Sequence, residues 1–106
     1  MKIAAKDHIH FYKAEDIIRF EYDTEDISVH FKNGNTEHID AEMDQLSRDL
    51  EDLGFIRVHF KHIININHIA QIPGTEPDTV KLENGDIIPL LPDARDQLLT
   101  LLKDHI

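Results

Sequence analysis

Apolar and polar residues alternate through Asp16-Ile17-Ile18-Arg19-Phe20-Glu21 and again through Ile27-Ser28-Val29-His30-Phe31-Lys32. This is the period-two pattern of strands with one buried face. Asn33-Gly34 follows, a pair that tolerates positive φ and favours a tight hairpin, so Asn35–Ile39 is expected to return as the partner strand. Met1–Ala5 and His8–Tyr12 are shorter strand candidates on either side of Lys6-Asp7. Thr79–Leu82 and Ile87–Leu90 flank a second such pair, Asn84-Gly85, and predict a second hairpin. Both glycines are expected at positive φ.

The period changes in the middle of the chain. Met43, Leu46, Leu50 and Leu53 fall at i, i+3, i+7 and i+10, a single apolar stripe on a helix. Asp40 is placed to cap its start, Glu42 and Asp44 suit its positive end, and Gly54 stands where a left-handed terminator belongs. The opposite face of this helix is acidic, as an ordinary solvated face would be. Phe55–His59 alternates again, and Ile63, Ile64, Ile66 and Ile69 form a β-branched cluster too irregular for period alone to assign. Pro73–Pro77 reads as a loop, and Asp93 as the cap of a last helix that turns Leu98, Leu101 and Leu102 inward. Some eight strands and two helices, mostly joined by hairpins, predict a mainly antiparallel β domain. Its core should include Leu46, Leu50, Ile56, Val58, Ile64 and Ile69.

Composition narrows the function. The 106 residues suit one domain, and the absence of cysteine removes disulfides, thiolate zinc sites and cysteine nucleophiles together. No signal-peptide core lies in Met1–Phe11 and no apolar run reaches the ~18 residues of a membrane span. A cytoplasmic protein without membrane contact is the expectation. The net charge of −10 opposes nucleic-acid binding, but it is uneven. Residues 1–22 sum to zero, 23–53 to −8, 54–72 to +2 and 73–106 to −4. Eight histidines could bring −10 to −2 if all were protonated, so electrostatic function should depend on pH.

Catalytic chemistry finds little support. The HExxH spacing is missing, and no Glu stands at a useful offset from His59, His62 and His68. Neither Ser28 nor Ser47 lies in a nucleophile elbow, and the four glycines form no phosphate loop. No enzyme activity, cofactor or dedicated metal site is expected.

The segment Gly54-Phe55-Ile56-Arg57-Val58-His59-Phe60-Lys61-His62-Ile63-Ile64-Asn65-Ile66-Asn67-His68-Ile69 carries a resemblance. Phe-x-Arg-x-His leading through a turn to an aliphatic–Asn–x–x–x–aliphatic run resembles the signature of the LytTR family of bacterial DNA-binding domains. Phe55, Arg57, His59, Ile64, Asn65 and Ile69 stand at the matching places. Glu15–Glu21 is similar to the family's early strand, Leu46 and Leu50 to its helix, and Leu82–Leu90 to its penultimate hairpin. The resemblance implies an elongated stack of small antiparallel sheets with one or two short helices. It also implies loops that enter the major groove of double-stranded DNA, in a transcriptional regulator or a response-regulator output domain. A single domain over 1–106 without a receiver is expected. Phe60, Lys61, His62 and Arg95 are the implied DNA-binding residues, and Arg57, His59 and Asn65 the structural signature.

Departures from the family pattern weaken the positive charge. Phe60 replaces a base or amide, Lys61 replaces a Ser, and Leu91-Pro92-Asp93-Ala94 retains only Arg95 of a Ser-and-Arg segment. The turn Asp23-Thr24-Glu25-Asp26 is acidic. Arg57 and His59 can instead hold the following turn, and Asn65 and Asn67 can bond local backbone. Phe60 can anchor a partner protein or enter the core. The alternative function is therefore an acidic module of the same fold, without DNA affinity, that binds a protein partner or a second copy.

Overall fold

The computed structural model describes residues 1–75 and 77–103. Among the described residues, ten strands, two α-helices and three single 3₁₀ turns follow one another. Strands β1 (Lys2–Ala4) and β2 (Ile9–Phe11) form a two-stranded antiparallel sheet. Strands β3 (Ile17–Asp23), β4 (Asp26–Phe31) and β5 (Thr36–Ile39) make a meander. Helix α1 (Met43–Leu50) leads to β6 (Phe55–His59) and β7 (His62–Asn65), which complete a five-stranded sheet of order β5-β4-β3-β7-β6. Strands β8 (Ile69–Gln71), β9 (Thr79–Leu82) and β10 (Ile87–Pro89) form a third sheet, and α2 (Pro92–Lys103) closes the described chain. All pairings are antiparallel. The principal extents of 42 × 28 × 25 Å fit an elongated stack of small sheets.

Both faces of the large sheet are covered. Ile17, Phe20, Ile27, Val29, Phe55 and Ile63 pack on one side with Ile3 and with Met43, Leu46 and Leu50 of α1. On the other side Ile18, Val58 and Ile64 meet Val80, Leu82 and Ile88 of the third sheet and Ala94 and Leu98 of α2. An irregularity between Ile17 and Arg19 in the β3–β4 pairing lets Ile17 and Phe20, three residues apart, face the same core while Ile18 faces the other. An extra residue resets the side-chain alternation there.

The two Asn-Gly turns are built alike. Gly34 and Gly85 have φ of 92° and 94° and close the β4–β5 and β9–β10 hairpins. The amides of Asn35 and Asp86 donate to the side-chain oxygens of Asn33 and Asn84, at 2.9 and 3.0 Å. Each asparagine therefore closes its turn with its own side chain.

Several expectations are corrected. Helix α1 stops at Leu50, and Glu51–Leu53 tightens into a 3₁₀ turn ending at Gly54 with φ 89°. Three residues per turn instead of 3.6 rotate Leu53 off the apolar stripe, and it is 45% exposed. Asp40 does not cap α1; Glu42 takes the N-cap position without a side-chain bond, and Asp40 lies 3.8 Å from Lys6. Asp93 lies inside α2, which begins at Pro92, where a missing N–H costs nothing. Leu46, Leu50, Val58 and Ile64 are buried, whereas Ile56 and Ile69 are only partly buried, at the margin of the second core. Leu101 is exposed, while Leu98 is buried. Glu76, in the expected Pro73–Pro77 loop, lies outside the described residues.

Candidate nucleic-acid interface

The signature segment makes one hairpin. Along β6, Phe55 enters the first core and Val58 the second, as period two requires. The pairing with β7 then slips between Arg57 and His59, so that His59 stands opposite His62. Such a bulge bends the strand and re-aims the turn beyond it. Phe60 and Lys61 form that turn, and Phe60 is 69% exposed. It does not enter the core.

Arg57 and His59 brace the turn from behind. The Arg57 guanidinium donates to the Phe60 carbonyl at 2.7 Å and makes an ion pair with Asp44 of α1. The Lys61 amide donates to His59 Nδ1 at 3.2 Å. Asn65 is buried, and its amide donates to the Ile17 carbonyl at 2.9 Å and the Ala14 carbonyl at 3.2 Å. Its oxygen accepts from the Asn67 amide at 3.0 Å. These three side chains all hold backbone that leads into or out of the hairpin.

Neighbouring segments set the charge around Phe60 and Lys61. The Tyr22 amide donates to the Lys61 carbonyl at 2.9 Å, which lays the acidic β3–β4 turn, Asp23–Asp26, alongside. Thr24 in that turn has φ 31°, an uncommon conformation for a β-branched residue. The Leu91 amide donates to the Val58 carbonyl at 2.9 Å, bringing the start of α2 to the same end of β6. The three expected contact regions thus gather at one end of the large sheet. Arg95, however, is engaged elsewhere. Its guanidinium donates to the Pro73 carbonyl at 3.3 Å and lies 3.8 Å from Asp78.

His62 belongs to a polar network that the sequence did not reveal. It pairs across the sheet with Glu21, while Arg19 pairs with His30. The Arg19 side chain, only 11% exposed, donates to Glu21 at 2.7 Å and to Asp86 at 2.9 Å. Asn84 donates to the same Asp86 oxygen at 2.8 Å. Arg19 therefore ties the large sheet to the β9–β10 turn. Burial works against ionising Glu21, but the Arg19 hydrogen bond and charge, helped by His62 and His30, hold its carboxyl below the usual range. Asp86 is lowered in the same way, its burial outweighed by Asn84 and Arg19. Burial lowers His30 and His62, and Arg19 adds to the effect on both despite the attraction of Glu21. His62 is thus mainly neutral at pH 7. Asp86 lies far along the chain from Arg19 and Glu21, and only the stacking of the third sheet on the large one brings it to them.

Among the described residues, no three His, Asp or Glu side chains are placed to hold a metal ion. No described helix is long and apolar enough to cross a membrane.

No curated protein matches the chain. Among solved structures, a LytTr DNA-binding domain from Bacillus cereus is similar, with 21% identity and a TM-score of 0.75 over 96% of this chain and 94% of that one. The model of the LytTr DNA-binding domain family matches residues 7–103. With nearly the whole chain matched, this protein belongs to the LytTr DNA-binding domain family.

Proposed function

We propose that this domain recognises specific duplex sequences as a bacterial, cytoplasmic transcriptional regulator, in the manner of a response-regulator output domain. The family match over residues 7–103 carries the reading. The gathering of the β6–β7 turn, the β3–β4 turn and the start of α2 at one end supports it. Phe60 and Lys61 would meet the groove, with His62 behind them. Arg95 would reach DNA after exchanging Asp78 and Pro73 for phosphate. The acids at 23–26 and Asp93 oppose phosphate, so affinity should be modest and should fall with salt.

Selection of bound duplexes from a random pool tests this. A shared motif among the recovered sequences is expected, because general electrostatic attraction would enrich none. Phe60→Arg combined with Asp93→Arg raises the local charge by three, adding two bases and removing one acid, and should tighten binding and steepen the salt dependence, each added phosphate contact contributing about −0.9 to the log–log slope. Recovery of no motif, with no response to the charge variant, would refute the reading. The exposed Phe60 beside an acidic turn then favours the second reading, a domain that docks a partner protein or a second copy.

A further inference from the structure

Glu21 lies between two histidines on neighbouring strands. His30 Nε2 on β4 is 3.6 Å from Glu21 Oε1, and His62 on β7 stands opposite Glu21 in the ladder. Both rings are partly buried. His30 Nε2 and His62 Nδ1 are buried nitrogens without a hydrogen-bond partner. A buried polar atom left unpaired is costly, and a site that retains two of them around one carboxylate has room for a further charge-assisted bond. The Arg19 guanidinium already occupies Glu21 Oε1 at 2.7 Å, so a metal ion would meet a fixed positive charge. A proton on either imidazole would not need to displace it.

We propose that His30, Glu21 and His62 form a shared proton-binding site that regulates the β6–β7 turn, proton uptake raising its affinity for DNA. The regulatory half rests on the DNA-binding reading; the proton site does not. Charge counting supports a response to a proton. With neutral rings, Arg19, Glu21 and Asp86 leave the network at −1. One proton makes it neutral, and a second makes it +1 and repels Arg19. The two rings should therefore compete rather than titrate independently.

The groups facing each ring come from every neighbouring element. His30 sees Arg19 and Glu21 of β3, Asp86 of the β9–β10 turn and Thr36 of β5, whose Oγ1 lies 3.4 Å from His30 Nδ1. His62 sees Glu21 and Arg19, with His59 and Lys61 of its own hairpin, the His59 ring centroid being 5.3 Å away. Burial and Arg19 oppose the charged rings, which places proton uptake below the ordinary histidine value of 6.5. A charge on His62 would adjoin Lys61 in the hairpin and add to the positive field that attracts phosphate. By linkage, bound DNA should in turn favour the protonated site.

Ring NMR titration of the whole chain tests the proton site without DNA. In the unmodified protein both rings should titrate below pH 6.5. Glu21→Gln should lower both midpoints further, and His30→Gln should raise that of His62. Independent titrations, unmoved by either substitution, would overturn the shared site whether or not DNA binds. Duplex affinity is then measured from pH 8 to pH 5.5. Affinity should rise severalfold as pH falls in the unmodified protein. His30→Gln should match it at pH 8 and begin its rise at higher pH, in step with the raised His62 midpoint. Coupled rings with a pH-independent affinity would overturn the regulatory link alone. Absence of duplex binding at every pH would refute the DNA-binding reading and the regulatory link together.

Discussion

Asn65→Ala should be among the more damaging single substitutions in this domain. The side chain is 1% exposed and makes three hydrogen bonds to backbone. Two of them reach across to Ala14 and Ile17, about fifty residues earlier in the chain, where β3 begins. Alanine leaves the buried Ile17 carbonyl without this donor and frees the Asn67 amide at the bend after β7. One buried unsatisfied group costs about 1–3 kcal/mol and the two more accessible bonds contribute less, so a loss of about 2–4 kcal/mol is expected. That is a large part of the 5–15 kcal/mol typical of a whole domain. Urea unfolding followed by far-ultraviolet circular dichroism measures it, the chain having no tryptophan.

Asn65→Asp sharpens the test. Its carboxylate can still accept from Asn67 but cannot donate to the two carbonyls, which repel it. Burial and that repulsion raise its pKa in the folded state, so the destabilisation is greatest at neutral pH. It should shrink as pH falls through the raised value, because the protonated acid regains a donor. A cost below about 0.5 kcal/mol for Asn65→Ala, or a pH-independent cost for Asn65→Asp relative to the unmodified protein, would refute the bracing role; surface substitutions commonly stay within that limit.

The remaining expectations test the core, the turns and the ion-pair network. Leu50→Ala, at a fully buried position of α1, should cost about 2–5 kcal/mol in the same unfolding assay. Gly34→Ala and Gly85→Ala meet open space beyond the new Cβ, so the cost is one of backbone alone and should be about 1–2 kcal/mol at each turn, read from the same curves. Arg19→Met should destabilise the domain at pH 7 and progressively less in acid. Glu21 and Asp86 are depressed in the folded state, so their contribution is present above their ordinary values of 4.5 and 3.8 and is lost as pH falls through the lower folded ones. Urea midpoints from pH 7 to pH 3 should therefore converge for the two proteins.

Local pattern determined much of this molecule by itself. The alternation in β3, β4 and β6, the stripe of Met43, Leu46 and Leu50 and the two Asn-Gly turns arise from forces acting over a few residues, and each is found where its period places it. The resemblance around Phe55–Ile69 supplied the architecture that those periods could not order. Tertiary structure decided the rest. Ile17 and Phe20 share a core, with Ile18 on the other, because of a pairing irregularity, and Leu53 leaves its stripe because the last turn of α1 tightens. Neither event leaves a periodic trace. The network of Arg19, Glu21 and His30 gains His62 only by pairing with the distant β7 and Asp86 only by the stacking of the third sheet, and Arg95 is drawn to Asp78 and Pro73 by the docking of α2. Charge acts through space, so residues far apart in the chain become electrostatic neighbours only once the sheets have stacked.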